Sequence, residues 1–70
     1  MNRANIIGKN IRLLRIEKGL TQDELGKIVS LSSDTISLWE LGKRKPDIDS
    51  VVLLANFFDV TTDYLLGVDL

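Results

Sequence analysis

The sequence predicts an all-α domain of five short helices, and three observations predict it. Apolar residues recur at three- and four-residue spacing, and no stretch shows the strict alternation of a half-buried strand. Thr21, Ser32, Asp47 and Thr61 each stand just before an apolar run, as helix caps do, while Gly19, Gly42 and Gly67 stand just after one. At 70 residues the chain makes one domain at most, since folding at this size buries only ~60% of the surface an unfolded chain exposes.

The first helix is read from Ile7, Ile11 and Leu14, which share one face with Lys9, Asn10, Arg12 and Arg15 between them. It is expected to stop at Gly19 in the left-handed conformation, with Leu20 folded back on the preceding turn. Thr21-Gln22-Asp23-Glu24 has the form of a capping box, in which hydroxyl and carboxylate satisfy backbone N–H groups, and Leu20 and Leu25 frame it as a hydrophobic staple. Leu25, Ile28 and Val29 continue the buried face of this second helix, and the polar residues around 30–33 break it. Ser32 caps a third helix that carries Ile36 and Trp39 on its inner side and ends at Gly42. Lys43-Arg44-Lys45-Pro46 is a loop, because proline disfavours a helical residue before it.

Asp47 is expected to cap the fourth helix. Ile48, Val51, Val52, Leu54, Ala55 and Phe58, joined by Leu53 and Phe57, make that helix apolar almost all round, which places it at the centre of the domain. Asp59-Val60 is a tight connection, and Thr61 opens a last short helix through Tyr64, Leu65 and Leu66 that Gly67 closes. Residues 6–67 are thus expected to form the domain, with 1–5 and 68–70 as tails.

Composition removes several function classes. No run approaches the ~18 apolar residues of a membrane span, no basic segment followed by an apolar one resembles a signal peptide, and there is no cysteine to staple a secreted fold. A cytoplasmic protein without membrane contact is expected. With neither His nor Cys, the chain lacks the commonest general base, the thiol nucleophile and the imidazole and thiolate metal ligands. Glu17, Asp23 and Glu24 read as helix-surface and capping residues, and the five glycines are scattered singly rather than gathered into a phosphate-cradling loop. The expectation is a protein that is no enzyme and holds no metal or cofactor, and nothing in the sequence implies a small-molecule ligand.

The net charge of −1 conceals an asymmetry. Residues 1–45 hold all nine Lys and Arg against five acids, a balance of +4, while residues 46–70 hold five Asp and no base, a balance of −5. A basic region on a small domain is the electrostatic footprint of nucleic-acid binding. The second and third helices, joined by Ser30-Leu31-Ser32, fit a helix-turn-helix over about residues 21–42, whose second helix projects so that its first turn enters a major groove ~12 Å wide. Short polar side chains suit that position, and Ser32, Ser33, Asp34 and Ser37 occupy it.

Ile7-Gly8-Lys9-Asn10-Ile11-Arg12-Leu13-Leu14-Arg15, Gly19-Leu20-Thr21-Gln22 with Leu25, Ser33 with Thr35-Ile36-Ser37, Trp39-Glu40, Gly42-Lys43, Pro46, Ala55, Phe58, Val60 and Tyr64-Leu65-Leu66 follow one another in an order that resembles the phage repressor and Cro type of helix-turn-helix. The resemblance covers residues 6–67 and implies a lambda-repressor-like fold. It implies that Gln22 holds a DNA phosphate and braces the recognition helix, and that Arg15 and Glu40 form a structural ion pair tying the first helix to the end of the third. The resemblance also implies that Ser32, Ser33, Asp34, Ser37 and Leu38 take the positions that face base edges, where Asp could accept from cytosine N4 and Leu could meet a thymine methyl. Lys43, Arg44 and Lys45 fall in the loop that lies along the sugar-phosphate backbone. Four positions depart from the pattern: Gly26 replaces a small Ala, Ser30 stands where Gly often opens the turn, Leu41 replaces a polar residue, and Asp34 adds a negative charge near the phosphates, so no relative's base preference carries over.

The resulting expectation is a regulator that binds double-stranded DNA at a pseudo-palindromic operator as a homodimer and represses by occlusion. Two other readings use the same fold. An antitoxin would cover a toxin and autoregulate its promoter, and a neighbouring toxin gene would favour it; a pure protein-interaction module would show no salt-sensitive DNA binding.

Overall fold

Every helix of this chain opens on a side-chain cap and closes in a left-handed turn, and these ten ends set the path of the backbone. The computed structural model describes residues 2–68, which form α1 (Arg3–Glu17), α2 (Gln22–Ile28), α3 (Ser33–Glu40), α4 (Ile48–Phe58) and α5 (Thr62–Leu66). Asn2, Thr21, Ser32, Asp47 and Thr61 each accept a hydrogen bond from the backbone N–H three residues on, satisfying a donor that the first turn of a helix leaves without a partner. The capping box is complete in both directions, with Glu24 N–H donating to Thr21 Oγ1 at 3.0 Å and Thr21 N–H to Glu24 Oε1 at 2.9 Å. At the other ends, Gly19, Ser30, Gly42, Asp59 and Gly67 have positive φ. The N–H groups of Leu20, Leu31, Lys43, Val60 and Val68 then reach back to the carbonyls of Arg15, Gly26, Leu38, Ala55 and Asp63.

The core takes Ile7, Ile11 and Leu14 from α1, Leu25 and Val29 from α2 and the turn after it, Ile36 and Trp39 from α3, Val51, Leu54 and Phe58 from α4, and Leu65 from α5. The most extensive packing joins α3 to α1 and to α2. Gly8 permits the first of these, since a Cβ there would collide with the Trp39 carbonyl oxygen. Thus α3 is clamped at its C-terminal end by α1 and along its N-terminal half by the turn from α2.

Three expectations change. First, α1 opens at Arg3, inside the stretch read as a tail, because Asn2 caps the Asn5 N–H at 2.9 Å and the Arg3 guanidinium donates to the Leu66 carbonyl. Second, α4 is not at the centre. Only Val51, Leu54, Ala55 and Phe58 are buried, while Val52 and Leu53 are exposed and Ile48 is 82% exposed, so its hydrophobicity exceeds the one face that packs. Third, Ile28 faces solvent rather than continuing the buried face of α2. In α5 Tyr64 is exposed at 57% and Leu65 alone is buried. Val68 lies exposed just past α5; Met1, Asp69 and Leu70, the ends of the two expected tails, lie outside the described residues. Among the described residues no helix is long and apolar enough to cross a membrane.

Candidate nucleic-acid interface

The turn between α2 and α3 decides how α3 stands on the domain. After Ile28 the chain passes through Val29 and left-handed Ser30, the Leu31 N–H closes on the Gly26 carbonyl at 2.7 Å, and Ser32 starts α3. The Ser32 hydroxyl accepts from the Thr35 N–H at 3.2 Å and shares a second hydrogen bond with the Thr35 hydroxyl at 3.1 Å. Ile36 and Trp39 are buried behind the helix. At about 100° per residue, Asp34, Ser37 and Leu38 share the outward arc opposite them, and Ser33 and Thr35 stand at its two flanks. Ser32 and Asp34 are exposed, while Ser33, Ser37 and Leu38 are half-buried. Leu41, at the C-terminal end of α3, adds an exposed apolar side chain to the same region.

Behind this arc lies a polar brace. Arg15 Nε and Nη2 donate to Glu40 Oε2 and Oε1 at 2.6 and 3.0 Å, a two-point pair with side-chain exposures of 13% and 4%. Arg15 Nη1 also donates to the Leu20 carbonyl at 2.7 Å, and Gln22 Nε2 donates to Glu40 Oε1 at 3.2 Å. The hydrogen bonds from Arg15 to Glu40 raise the guanidinium pKa above its ordinary value against the opposing effect of burial. Three segments therefore meet on one carboxylate, α1, the start of α2 and the end of α3, and Arg15 ties the turn after α1 to them through the Leu20 carbonyl. The bidentate fork fixes orientation as well as distance.

Beyond α3, Lys43, Arg44 and Lys45 are all exposed, and among the described residues none of them pairs with a carboxylate. A hollow of about 320 Å³ separates this loop from α3, lined by Leu31, Thr35, Trp39, Arg44, Lys45, Asp47 and Ser50. Asp47 does not neutralise the loop through a salt bridge. Its carboxylate takes the Ser50 N–H at 2.8 Å, and hydrogen bonds from the Ser50 backbone and hydroxyl hold its pKa below the ordinary value. The fold thus gathers Ser32, Ser33, Asp34, Ser37 and Leu38 on one helix and Gln22 on the brace behind it, with Lys43, Arg44 and Lys45 at its far end. Sequence reasoning missed Thr35; its place at the flank of the arc follows from the helix phase that Ile36 and Trp39 set. Among the described residues no group of carboxylates is placed to hold a metal ion.

Residues 11–65 match the helix-turn-helix family. Among curated proteins, the HTH-type transcriptional regulator ImmR of Bacillus subtilis is 36% identical over 90% of this chain and half of its own length. The transcriptional activator BcrR of Enterococcus faecalis is 40% identical over 84% of this chain and 29% of its own length. The chain therefore spans half or less of these relatives. Among solved structures, the P22 c2 repressor in complex with a synthetic operator superposes with a TM-score of 0.84, at 33% identity over 91% of this chain and 97% of that one. With five helices, no strand among the described residues and this match along most of its length, the chain belongs to the helix-turn-helix family of the phage repressor and Cro type.

Proposed function

We propose that this chain is the sequence-reading part of a transcriptional repressor, binding double-stranded DNA with α3 in the major groove. The observation that carries the reading is the pairing of an outward arc of short side chains on a braced helix with three exposed, uncompensated cations at its far end. Ser33, Asp34, Ser37 and Leu38 reach base edges, joined by Ser32, whose hydroxyl also caps α3. Lys43, Arg44 and Lys45 take phosphates, and Gln22 holds one while its amide is anchored on Glu40. Phosphate contacts position the protein and base contacts specify the site. The chain works by binding rather than by catalysis, acts in the cytoplasm where its operator lies, and represses by occupying a pseudo-palindromic site as a homodimer. The resemblance to the P22 c2 repressor, whose structure holds operator DNA, supports this reading.

The test separates positioning from reading. A duplex selected from a random pool supplies the site, and titrations at two salt concentrations against it and its single-base mismatches supply the readout. Arg44→Ala should weaken all duplexes alike and reduce the logarithmic salt slope by roughly 0.9 for each phosphate that the protein no longer neutralises. Ser33→Ala and Asp34→Asn should instead change which base pairs are preferred, with discrimination shifting by about 1–3 kcal/mol. An Arg44→Ala protein with an altered motif, beside Ser33 and Asp34 variants with the original one, would show the recognition surface to be misplaced.

A further inference from the structure

One concavity touches the proposed DNA-binding surface only at Lys45. It lies between the start of α1, the loop before α4, the first turns of α4, and α5, and its volume is about 460 Å³, within the range of ~300–1,000 Å³ that small-molecule sites occupy. Ile7, Pro46, Val51 and Leu66 give it an apolar lining, and Ile48 and Val52, one helical turn apart, carry that surface out to exposed side chains. Scattered exposed apolar residues are ordinary on a small protein. Here two of them adjoin a preformed apolar groove, and the polar remainder of the lining has one sign. Among the described residues Arg3 and Lys45 are the only charged ones that line it, Thr62 adds a hydroxyl, and no carboxylate lines it. Asp47 follows Pro46 in sequence, yet it is held by Ser50. Arg3 donates to the Leu66 carbonyl, which fixes its guanidinium beside the groove while using one of five N–H donors.

We propose that this groove binds a small organic anion with an apolar body, of the medium-chain carboxylate class, its carboxylate lying between Arg3 and Lys45. The size suits a small molecule better than a partner helix, which docks through a longer series of apolar anchors. A consequence follows that rests on the DNA-binding reading above: Lys45 serves both the groove and the phosphate-facing loop, so the bound anion draws it away from DNA and weakens duplex binding.

Titration of the isotope-labelled protein with decanoate, without DNA, tests the site through its amide signals. Saturable shifts are expected at Ile7, Ile48, Val52 and Leu66, with no response to acetate and a weaker one to decanol. Arg3→Gln should weaken decanoate about two- to fivefold, the worth of an exposed ion pair. Ile48→Asn, at a side chain the core does not use, should weaken it about fivefold or more by removing apolar area from the groove. An absence of saturable shifts, wild-type affinity in both variants, or the same shifts appearing on protein dilution alone, which would mean a second copy fills the groove, each overturns the proposal. In a second arm, decanoate should lower duplex affinity for the wild type but not for Ile48→Asn, whose duplex binding without decanoate is unchanged. Decanoate binding that leaves duplex affinity untouched overturns the coupling through Lys45. Failure to bind any duplex is a failure of the DNA reading alone, and the DNA-free titration keeps the two apart.

Discussion

Gly26 and Ser30 bracket the turn that aims α3, and they make opposite demands on the backbone. A Cβ added at Gly26 would lie 2.5 Å from the Leu31 carbonyl oxygen, so the α2 backbone rests directly on the turn it feeds. Ser30 holds φ at 59°, a conformation that costs a residue bearing a Cβ roughly 1–2 kcal/mol. The sequence marks both as departures from the family pattern and does not say which is a requirement and which a tolerated strain. That distinction depends on the distance between segments, which no local pattern carries. Gly26→Ala should destabilise the domain by about 1–3 kcal/mol, as overpacking does. Ser30→Gly should stabilise it by about 0.5–1 kcal/mol once the greater freedom of glycine in the unfolded chain is subtracted. Thermal unfolding of the two variants checks both signs, and a stabilised Gly26→Ala protein would contradict the close approach.

Among the elements, the boundaries were the most legible feature and the depth of burial the least. Thr21, Ser32, Asp47 and Thr61 announce their helices because a cap is a contact within four residues, and Gly19, Gly42 and Gly67 announce their ends for the same reason. Asn2 caps α1 by the same geometry, but no strongly apolar residue follows until Ile6, so periodicity alone starts the helix too late. In α4 the apolar content predicts burial on all sides, whereas burial also requires neighbours, and a domain of this size supplies them on one face only. The Asp47 cap carries a pH dependence. Its folded pKa lies below the unfolded one, so its stabilisation is present above about pH 4 and is lost as pH falls through the folded value. Asp47→Asn, which still caps, should flatten that part of the acid-unfolding profile without removing α4. The Arg15, Gln22 and Glu40 brace gives a sharper ordering. Arg15→Ala leaves Glu40, 4% exposed, with only the Gln22 amide, and should cost about 3 kcal/mol. Glu40→Ala leaves Arg15 its bond to the Leu20 carbonyl and greater access to water, and should cost less. Chemical denaturation of both single variants decides it; equal losses would mean that the brace is not carried by the burial of the carboxylate.

At the scale of the molecule, the proposed two-fold site sets a requirement on size. The domain measures 31 × 24 × 21 Å, while recognition helices in adjacent major grooves lie about 34 Å apart, so the proposed pseudo-palindromic site calls for two copies side by side. In the proposed homodimer we place that contact on α1 and α5. Leu13, Tyr64 and Val68 are exposed there, and Asn10 Nδ2 donates to the carbonyls of Tyr64 and Leu65 at 3.1 Å each, holding the short α5 against α1. The sequence shows the apolar end of the chain, but only the packing shows that Leu65 is consumed by the core while Tyr64 and Val68 are left outside it. Tyr64→Ser should therefore leave the melting temperature of the monomer nearly unchanged, since a surface substitution of this kind stays within about 0.5 kcal/mol. It should abolish cooperative binding to a palindromic duplex while preserving affinity for a single half-site. Sedimentation of the free protein and titration of duplexes with half-sites set one turn and one and a half turns apart give the two readouts. Cooperative binding by Tyr64→Ser at the one-turn spacing would place the dimer contact elsewhere on the molecule, and equal affinity at both spacings would rule out a rigid two-fold pair.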